Sequence, residues 1–465
     1  GSSRFGANNR WGIFPSVSAA WRVSNETFFP ANNVISNVKL RLGWGQTGNQ
    51  EIQNYAFGSM LTTQQSYFGP SVRNNAYSNP DVQWEATTMT NIGLDAELWS
   101  GRATLTFEAY NKVTDNLLLQ VPLPATFGNQ VQGPQANIGS MTNKGIELTL
   151  TTINTDKGKF RWTSNANISV NRNRVTDMGG TTIFRNLYWY TGFETATMTR
   201  AGFPVGQFYG FVMEGIFTSK EEILNHAVQI QAPNSVTPEN PNGVNLIERT
   251  QGLWLGDIKW KDINNDGVID SRDQTVIGDP NPDFTFGFNN TFTYGPFTLD
   301  LFIIGSVGGD ILNYSRARNE QMVGNFDNQS MSVINRARTQ LKPDGININN
   351  IDDVELINPG TNIPRFDNGG ENRNHYMSSR WIEDGTYVRL QNARFSYNLP
   401  KTLINKVKIA NVQVYANIQN LATITKYKGL DPQIGAFNQS ALMQNVDMGR
   451  YTAPRVFTFG VNVDF

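Results

Sequence analysis

No cysteine occurs in the 465 residues, so neither a disulfide framework nor thiolate chemistry is available. Histidine is scarce: His226 and His375 stand far apart in sequence and near no nucleophile motif, which argues against a Ser-His-Asp hydrolase. Carboxylate pairs exist, but none has a context that points to glycoside hydrolysis. No enzymatic activity is therefore expected. Charged residues make up 17%, well below the usual quarter, and a net charge of −1 gives no footprint for nucleic acid. No apolar run approaches ~18 residues, which excludes a transmembrane helix; Leu301-Phe302-Ile303-Ile304 is among the longest. No helix of core length and no blade-length repeat appears.

What the chain has is alternation. Its last stretch places Phe457, Phe459, Val461, Val463 and Phe465 on one side and Thr458, Gly460, Asn462 and Asp464 on the other, the period-two pattern of a strand. That strand alone suits a soluble core and a lipid-facing wall equally. Similar patterns recur over Phe14–Val23, Val38–Gly45, Thr87–Trp99, Ala103–Tyr110, Gly145–Ile153, Phe160–Asn171, Phe284–Tyr294, Thr298–Gly305, Tyr387–Leu399 and Lys406–Asn420. In all, about 14 strands are expected, many near 10–14 residues against a usual ~5–6. Tight turns at Gly101-Arg102, Asp156-Lys157-Gly158 and Gly295-Pro296 alternate with long polar connections, above all 214–283 and 308–384. Short turns at one end and long loops at the other belong to outer-membrane barrels. A mean hydropathy of −0.40 is compatible with this, because lumen and loops dilute the lipid face. Aromatics reach 11%; girdles at the membrane interfaces explain them more simply than sugar stacking.

Within the connections, Ser219-Lys220-Glu221-Glu222 reads as a capping box before a short helix over Ile223–Ile230. Val333, Ile334, Ala337 and Leu341, bounded by Pro343, suggest a second, amphipathic helix. Gly43-Trp44-Gly45-Gln46-Thr47-Gly48 is a literal G-x-G-x-x-G. No helix opens after it, so it reads as a strand running out into a glycine-rich loop.

The sharpest motif is Asp262-Ile263-Asn264-Asn265-Asp266-Gly267-Val268-Ile269-Asp270-Ser271-Arg272-Asp273. Asp262, Asn264 and Asp266 fill positions one, three and five of a calcium loop, with Gly267 at the sharp turn. Val268 would offer its carbonyl, Asp270 position nine, and Asp273 position twelve in place of the usual Glu. That last departure resembles a dockerin-type loop. The competing reading is a solvated Asn/Asp/Gly turn whose side chains bond their own backbone. A bound Ca2+ would be structural, stiffening a long loop.

Several stretches together resemble one family, the SusC/RagA-like TonB-dependent outer-membrane transporters of the Bacteroidetes. They are Gly1–Gly6 with Asn9–Arg22, Gly45–Gln50, Asn79–Glu85, Asn137–Glu147, Gly256–Trp260, Val276–Phe284, Tyr387–Leu390 and Gly429–Pro432. The resemblance runs the whole chain in order. It implies an all-β fold, a transmembrane antiparallel β-barrel of which residues 1–465 are the C-terminal part. The family expectation is a 22-stranded plugged barrel, with plug, TonB-contacting segment and first strands outside this chain. It implies TonB-energised import of a glycan or peptide fragment, a SusD-like surface lipoprotein as lid, and residence in the outer membrane of a Gram-negative bacterium. Substrate-binding residues are not legible. The rival expectations are a soluble secreted calcium-binding β-rich adhesin or glycan-binding module, and a passive porin.

Overall fold

Eleven of the alternating stretches are strands of one antiparallel sheet: β1 (Ser16–Trp21), β2 (Ile35–Asn49), β3 (Glu85–Leu98), β4 (Ala103–Asp115), β5 (Ser140–Lys157), β6 (Phe160–Asp177), β7 (Phe284–Tyr294), β8 (Phe297–Val307), β9 (Tyr387–Asn398), β10 (Asn411–Thr425) and β11 (Val456–Asp464). Each pairs with its neighbours in chain order. The computed structural model describes residues 1–30, 33–58, 60–121, 133–188, 193–320, 328–366, 372–404 and 409–464; Phe465, expected on the apolar side of β11, lies outside them. Beyond these eleven, the connections carry short strand pairs of their own, such as Leu118–Gln120 with Gln135–Asn137 and Thr339–Leu341 with Val354–Leu356.

The register carries one apolar face across the whole sheet. Val461 lies opposite Val414, Val414 opposite Tyr397, Tyr397 opposite Phe297, and Phe297 opposite Tyr294. Further along, Ile168 pairs with Leu148, Leu148 with Phe107, Phe107 with Leu94, Leu94 with Leu40, and Leu40 with Trp21. Phe457, Phe459, Val461 and Val463 are all exposed, as are Leu42, Ile92, Ile146 and Leu148 on the same face. The opposite face is polar and includes Arg41, Asp95 and Glu108, where Arg41 bridges both carboxylates at 2.9 and 3.3 Å. Glycine makes room for this arginine: a Cβ on Gly93 would sit 2.8 Å from its guanidinium.

On the apolar face, aromatic rings gather near the tight turns. Trp162 stacks on Phe292 at 5.6 Å, and Phe297 on Phe395 and Tyr397 at 5.9 and 4.8 Å. This is the belt expected where acyl chains meet headgroups. Asn290, on the same face, is buried and accepts bonds from the Trp162 indole (3.0 Å) and the Ser164 hydroxyl (2.7 Å), so its amide oxygen is not left bare in hydrocarbon. Toward the other end, the face turns from Ile146 and Val170 to Lys144 and Arg172, which bounds the apolar band. β5 and β6 run 18 residues each, well beyond the ~9–11 that cross hydrocarbon, and stand out to carry the connections.

Turn chemistry decides which end is tight. Gly101, Gly158 and Gly295 all adopt positive φ, +87°, +60° and +57°, where a side chain is strained. The glycine motif at 43–48 does not run into a loop; it is continuous strand through Asn49. Gly48 there admits the Phe14 ring, whose nearest atom would lie 2.0 Å from an added Cβ.

Leu148 sits in the middle of the apolar band. Leu148→Arg should cost roughly 2–4 kcal/mol of barrel stability in lipid, whereas Thr149→Arg on the polar face should cost far less. Denaturant titration of the full-length protein in vesicles measures both; equal losses would overturn the distinction between the faces, and a larger loss for Thr149→Arg would invert it.

Candidate functional site

Connections 50–84, 116–139, 178–283, 308–386 and 426–455 all leave the end opposite the tight turns, as the pairing of strand ends requires. Water-exposed loops of this length need cores of their own. One gathers Phe208, Leu312, Met377, Trp381 and Val446 from three connections; another gathers Phe217, Ile223, Leu253, Trp254, Ile351 and Val354. The helix expected near Ile223 is present as Lys220–Asn225, with Ser219 capping the Glu222 N–H at 3.2 Å; it stops short of Ile230. The second expected helix is not formed. A 3-10 turn over Met331–Asn335 gives way to the strand Thr339–Leu341. The Asn358 amide takes the Asn335 and Arg336 carbonyls at 3.0 and 2.7 Å, acceptors that a continuing helix would need.

Polar hubs lock the connections together. Asp257 is wholly buried; Arg365 donates to both its oxygens at 2.6 and 2.9 Å, Asn372 and Asn374 at 2.7 and 2.8 Å, and the Trp254 N–H at 2.7 Å. Burial raises the Asp257 pKa, and Arg365 opposes it. Glu320 holds Arg316 (3.2 Å) and Arg380 (2.9 Å), while Arg316 also reaches Glu383 at 2.9 Å. Arg389 of β9 pairs with Asp431 of the last connection.

Between these loops and the polar face of β5–β7 lies a cavity of about 470 Å³. Asn143, Ser169, Asn171, Asn173 and Thr285 come from the strands, while Leu442 and Gln444 reach over from the last connection. The Thr197 hydroxyl donates to the Leu442 carbonyl at 2.8 Å, tying two loops into a roof. The sequence showed the strand residues only as a polar alternation. Nothing local signals that residues near 143, 171, 285 and 444 meet.

The acidic loop is extended into Ile258–Trp260, then turns back on itself. Gly267 has φ +82° and donates to Asp262 Oδ2 at 2.8 Å. The Val268 N–H donates to Asp266 Oδ1 at 3.0 Å, and the Ile263 and Asp270 N–H groups donate to the two oxygens of buried Asp273 at 2.9 and 2.8 Å. Asn264 donates to Asp266 Oδ2 at 3.0 Å. Arg272 bridges Asp266 and Asp270 at 2.8 and 2.7 Å, and its bonds hold the Asp270 carboxyl below its ordinary pKa. Among the described residues, no three carboxylate or histidine side chains stand close enough to hold a metal ion. Asp262 Oδ1 is shielded from solvent and bonds no other group.

A sheet that is apolar on one face and polar on the other, with tight turns at one end and a folded loop body at the other, is the wall of a transmembrane β-barrel of outer-membrane type. The family model described as TonB dependent receptor-like, beta-barrel matches residues 1–421, and the chain belongs to that family. TonB-dependent receptor P3 of Formosa agariphila is 31% identical over 482 residues, covering 100% of this chain and 43% of that protein. TonB-dependent receptor SusC of Bacteroides thetaiotaomicron is 27% identical, covering 100% of this chain and 41% of that protein. The fold of the RagAB peptide transporter matches with a TM-score of 0.74 at 24% identity, over 100% of this chain and 44% of that chain. The chain thus spans under half the length of the relatives it matches. The family is one of receptors and transporters, with no enzymatic step.

Burial lifts the Glu194 carboxyl from 4.5 to about 7, against the pull of the Met377 N–H bond at 2.9 Å. A carboxyl raised in the folded state stabilises it fully below the unfolded value and loses that gain as pH rises through the folded one. Protection of loop amides near Met377 from hydrogen exchange should therefore fall between about pH 5 and pH 8. Glu194→Gln should flatten the profile; an unchanged profile would reject burial of this carboxyl as the cause.

Proposed function

We propose that the chain is the C-terminal wall and loop body of an active transporter that imports a large nutrient, a glycan or peptide fragment, across the outer membrane. The observation that carries this reading is the loop body itself, with its own cores and polar hubs, over one end of a family wall. A passive pore needs no such structure at its mouth. β1 and β11 each lack a second neighbour among the described residues, and strands of a longer chain would complete a 22-stranded plugged barrel. In this reading the long connections are extracellular and bear a SusD-like lipoprotein lid, and TonB supplies energy through a part outside this chain. The soluble adhesin reading is disfavoured by an apolar face that continues over all eleven strands. In intact cells, an impermeant maleimide should label Tyr67→Cys and spare Lys157→Cys, and loss of TonB should abolish uptake. Labelling of Lys157→Cys before lysis would reverse the orientation.

The acidic loop is proposed as a structural calcium site, favoured by the unbonded Asp262 Oδ1 in an all-oxygen donor set. Asp262, Asn264, Asp266, Asp270, Asp273 and the Val268 carbonyl would be the donors, and Arg272 would have to leave Asp266 and Asp270. Calcium titration of the full-length protein, followed by terbium luminescence sensitised by Trp260, should give tighter binding in Arg272→Gln and none in Asp262→Asn. Signals indifferent to both changes would leave the loop as a self-bonded turn.

A further inference from the structure

We infer that the cavity between β5–β7 and the loop roof is a subsite for an uncharged, hydroxyl-rich ligand, a neutral oligosaccharide and not a peptide or an anionic glycan. The inference rests on the transport reading and narrows it.

The first ground is what lines the cavity. Among the described residues, no lining side chain ionises; the polar ones are amides and hydroxyls. An amide or hydroxyl both donates and accepts, as a sugar hydroxyl does, so the two sets match in either direction. An ion entering would lose its hydration and find no opposite charge. A peptide brings two charged termini as a minimum, and a uronate or sulfated glycan brings one charge per modified ring.

The second ground is that part of the polar set is uncommitted. Asn173 is used internally, accepting from the Val205 N–H at 2.8 Å and donating to Asn281 at 2.6 Å. Asn171 accepts from the Tyr110 hydroxyl at 3.1 Å. Among the described residues, Ser169, Thr285 and Gln444 make no side-chain hydrogen bond, and the Asn143 amide nitrogen donates to none. These four converge on the cavity from β5, β6, β7 and the last connection. The bonded asparagines fix the frame, and the free groups face the space.

The third ground is the apolar remainder, which includes Leu117, Met141, Val175, Phe284 and Leu442 and makes up most of the exposed lining. Sites of this size are mostly apolar with a few placed polar groups, and a pyranose presents such a pairing, C–H faces rimmed by hydroxyls. A second cavity of about 610 Å³, between loops alone, is lined by Arg316, Glu320, Lys428 and Asp447 and contains no residue of the eleven strands. A smaller cavity of about 280 Å³ adjoins the first through Asn171, Asn173 and Asn281 and is lined by Arg172, Asp279, Asp283 and Asp310, so the uncharged lining is a property of the larger wall-side cavity and charge begins at its edge.

The test uses the source bacterium with the full-length transporter, beside a strain lacking it. Both are fed size-matched neutral hexose oligomers of several linkages, uronate oligomers and peptides, and each class is followed in the medium by mass spectrometry. Transporter-dependent loss of neutral oligomers alone is expected. Transporter-dependent loss of peptides or uronates overturns the inference while leaving transport intact. If no class is lost, the transport reading fails and this one with it. Asn143→Asp and Thr285→Asp, present in the outer membrane at the normal level, should slow neutral uptake at least about tenfold by placing an unpaired charge in the cavity. Asn143→Ser should retain uptake. Normal uptake by both aspartate variants would overturn the assignment of the site.

Discussion

In hydrocarbon an unpaired N–H or C=O costs several kcal/mol, since no water is present to bond it. Every spanning strand must therefore find a partner on each side, which dictates a sheet of neighbours in chain order and leaves no room for irregular backbone at membrane depth. The period-two side-chain pattern follows. With lipid on one face and a wet lumen on the other, Leu40, Leu94, Phe107, Leu148 and Ile168 can lie in one row while Arg41, Asp95 and Glu108 occupy the face behind them. The same constraint reaches side chains: Asn290 is tolerated on the lipid side because Trp162 and Ser164 satisfy it.

Beyond the membrane, water relaxes the backbone constraint and imposes another. The connections must bury enough apolar surface to order themselves, and they do so largely by sharing cores, although Phe211, Ile258, Trp260 and Ile269 form one within 178–283. Asp257 marks how they are held in register. Its desolvation is costly, and a buried ion pair is weak ground for stability. With Arg365 and two asparagine amides arriving from another connection, however, only one mutual placement of the loops satisfies it. We regard that hub as a specificity device.

The wall was legible and the loops were not, for the same physical reason. A strand that must be apolar on one face for its whole crossing writes its register into adjacent residues, and Gly101, Gly158 and Gly295 announce the turns. The loop body is built from contacts between distant segments. Val333, Ile334, Ala337 and Leu341 carry a helical spacing, yet Asn358, over twenty residues on, takes the carbonyls and the stretch ends as 3-10 turn and strand. In the acidic loop, spacing revealed the acidic positions and the turn at Gly267. It could not reveal that Arg272 folds back between Asp266 and Asp270.

A wall facing water can be polar by charge or by neutral dipoles, and this one divides the two. The charges Arg41, Asp95, Glu108 and Glu147 lie on β2–β5, where they partly neutralise one another. Toward the loops, β6 and β7 instead present Asn165, Asn167, Ser169, Asn171 and Asn289, while charge returns at Arg161 beside the tight turn and at Asp300, Arg389 and Arg394 on β8 and β9. Solubility of the lumen face would be met by either choice, so solubility alone does not explain the division. Neutral dipoles bond weakly and in both directions, and they hold no counter-ions that a passing ligand would have to displace. The uncharged patch of β6 and β7 is also the part of the wall over which the loops build a roof. A surface that must grip a hydrated, uncharged molecule and then let it go gains from that combination; one that merely stays wet does not need it.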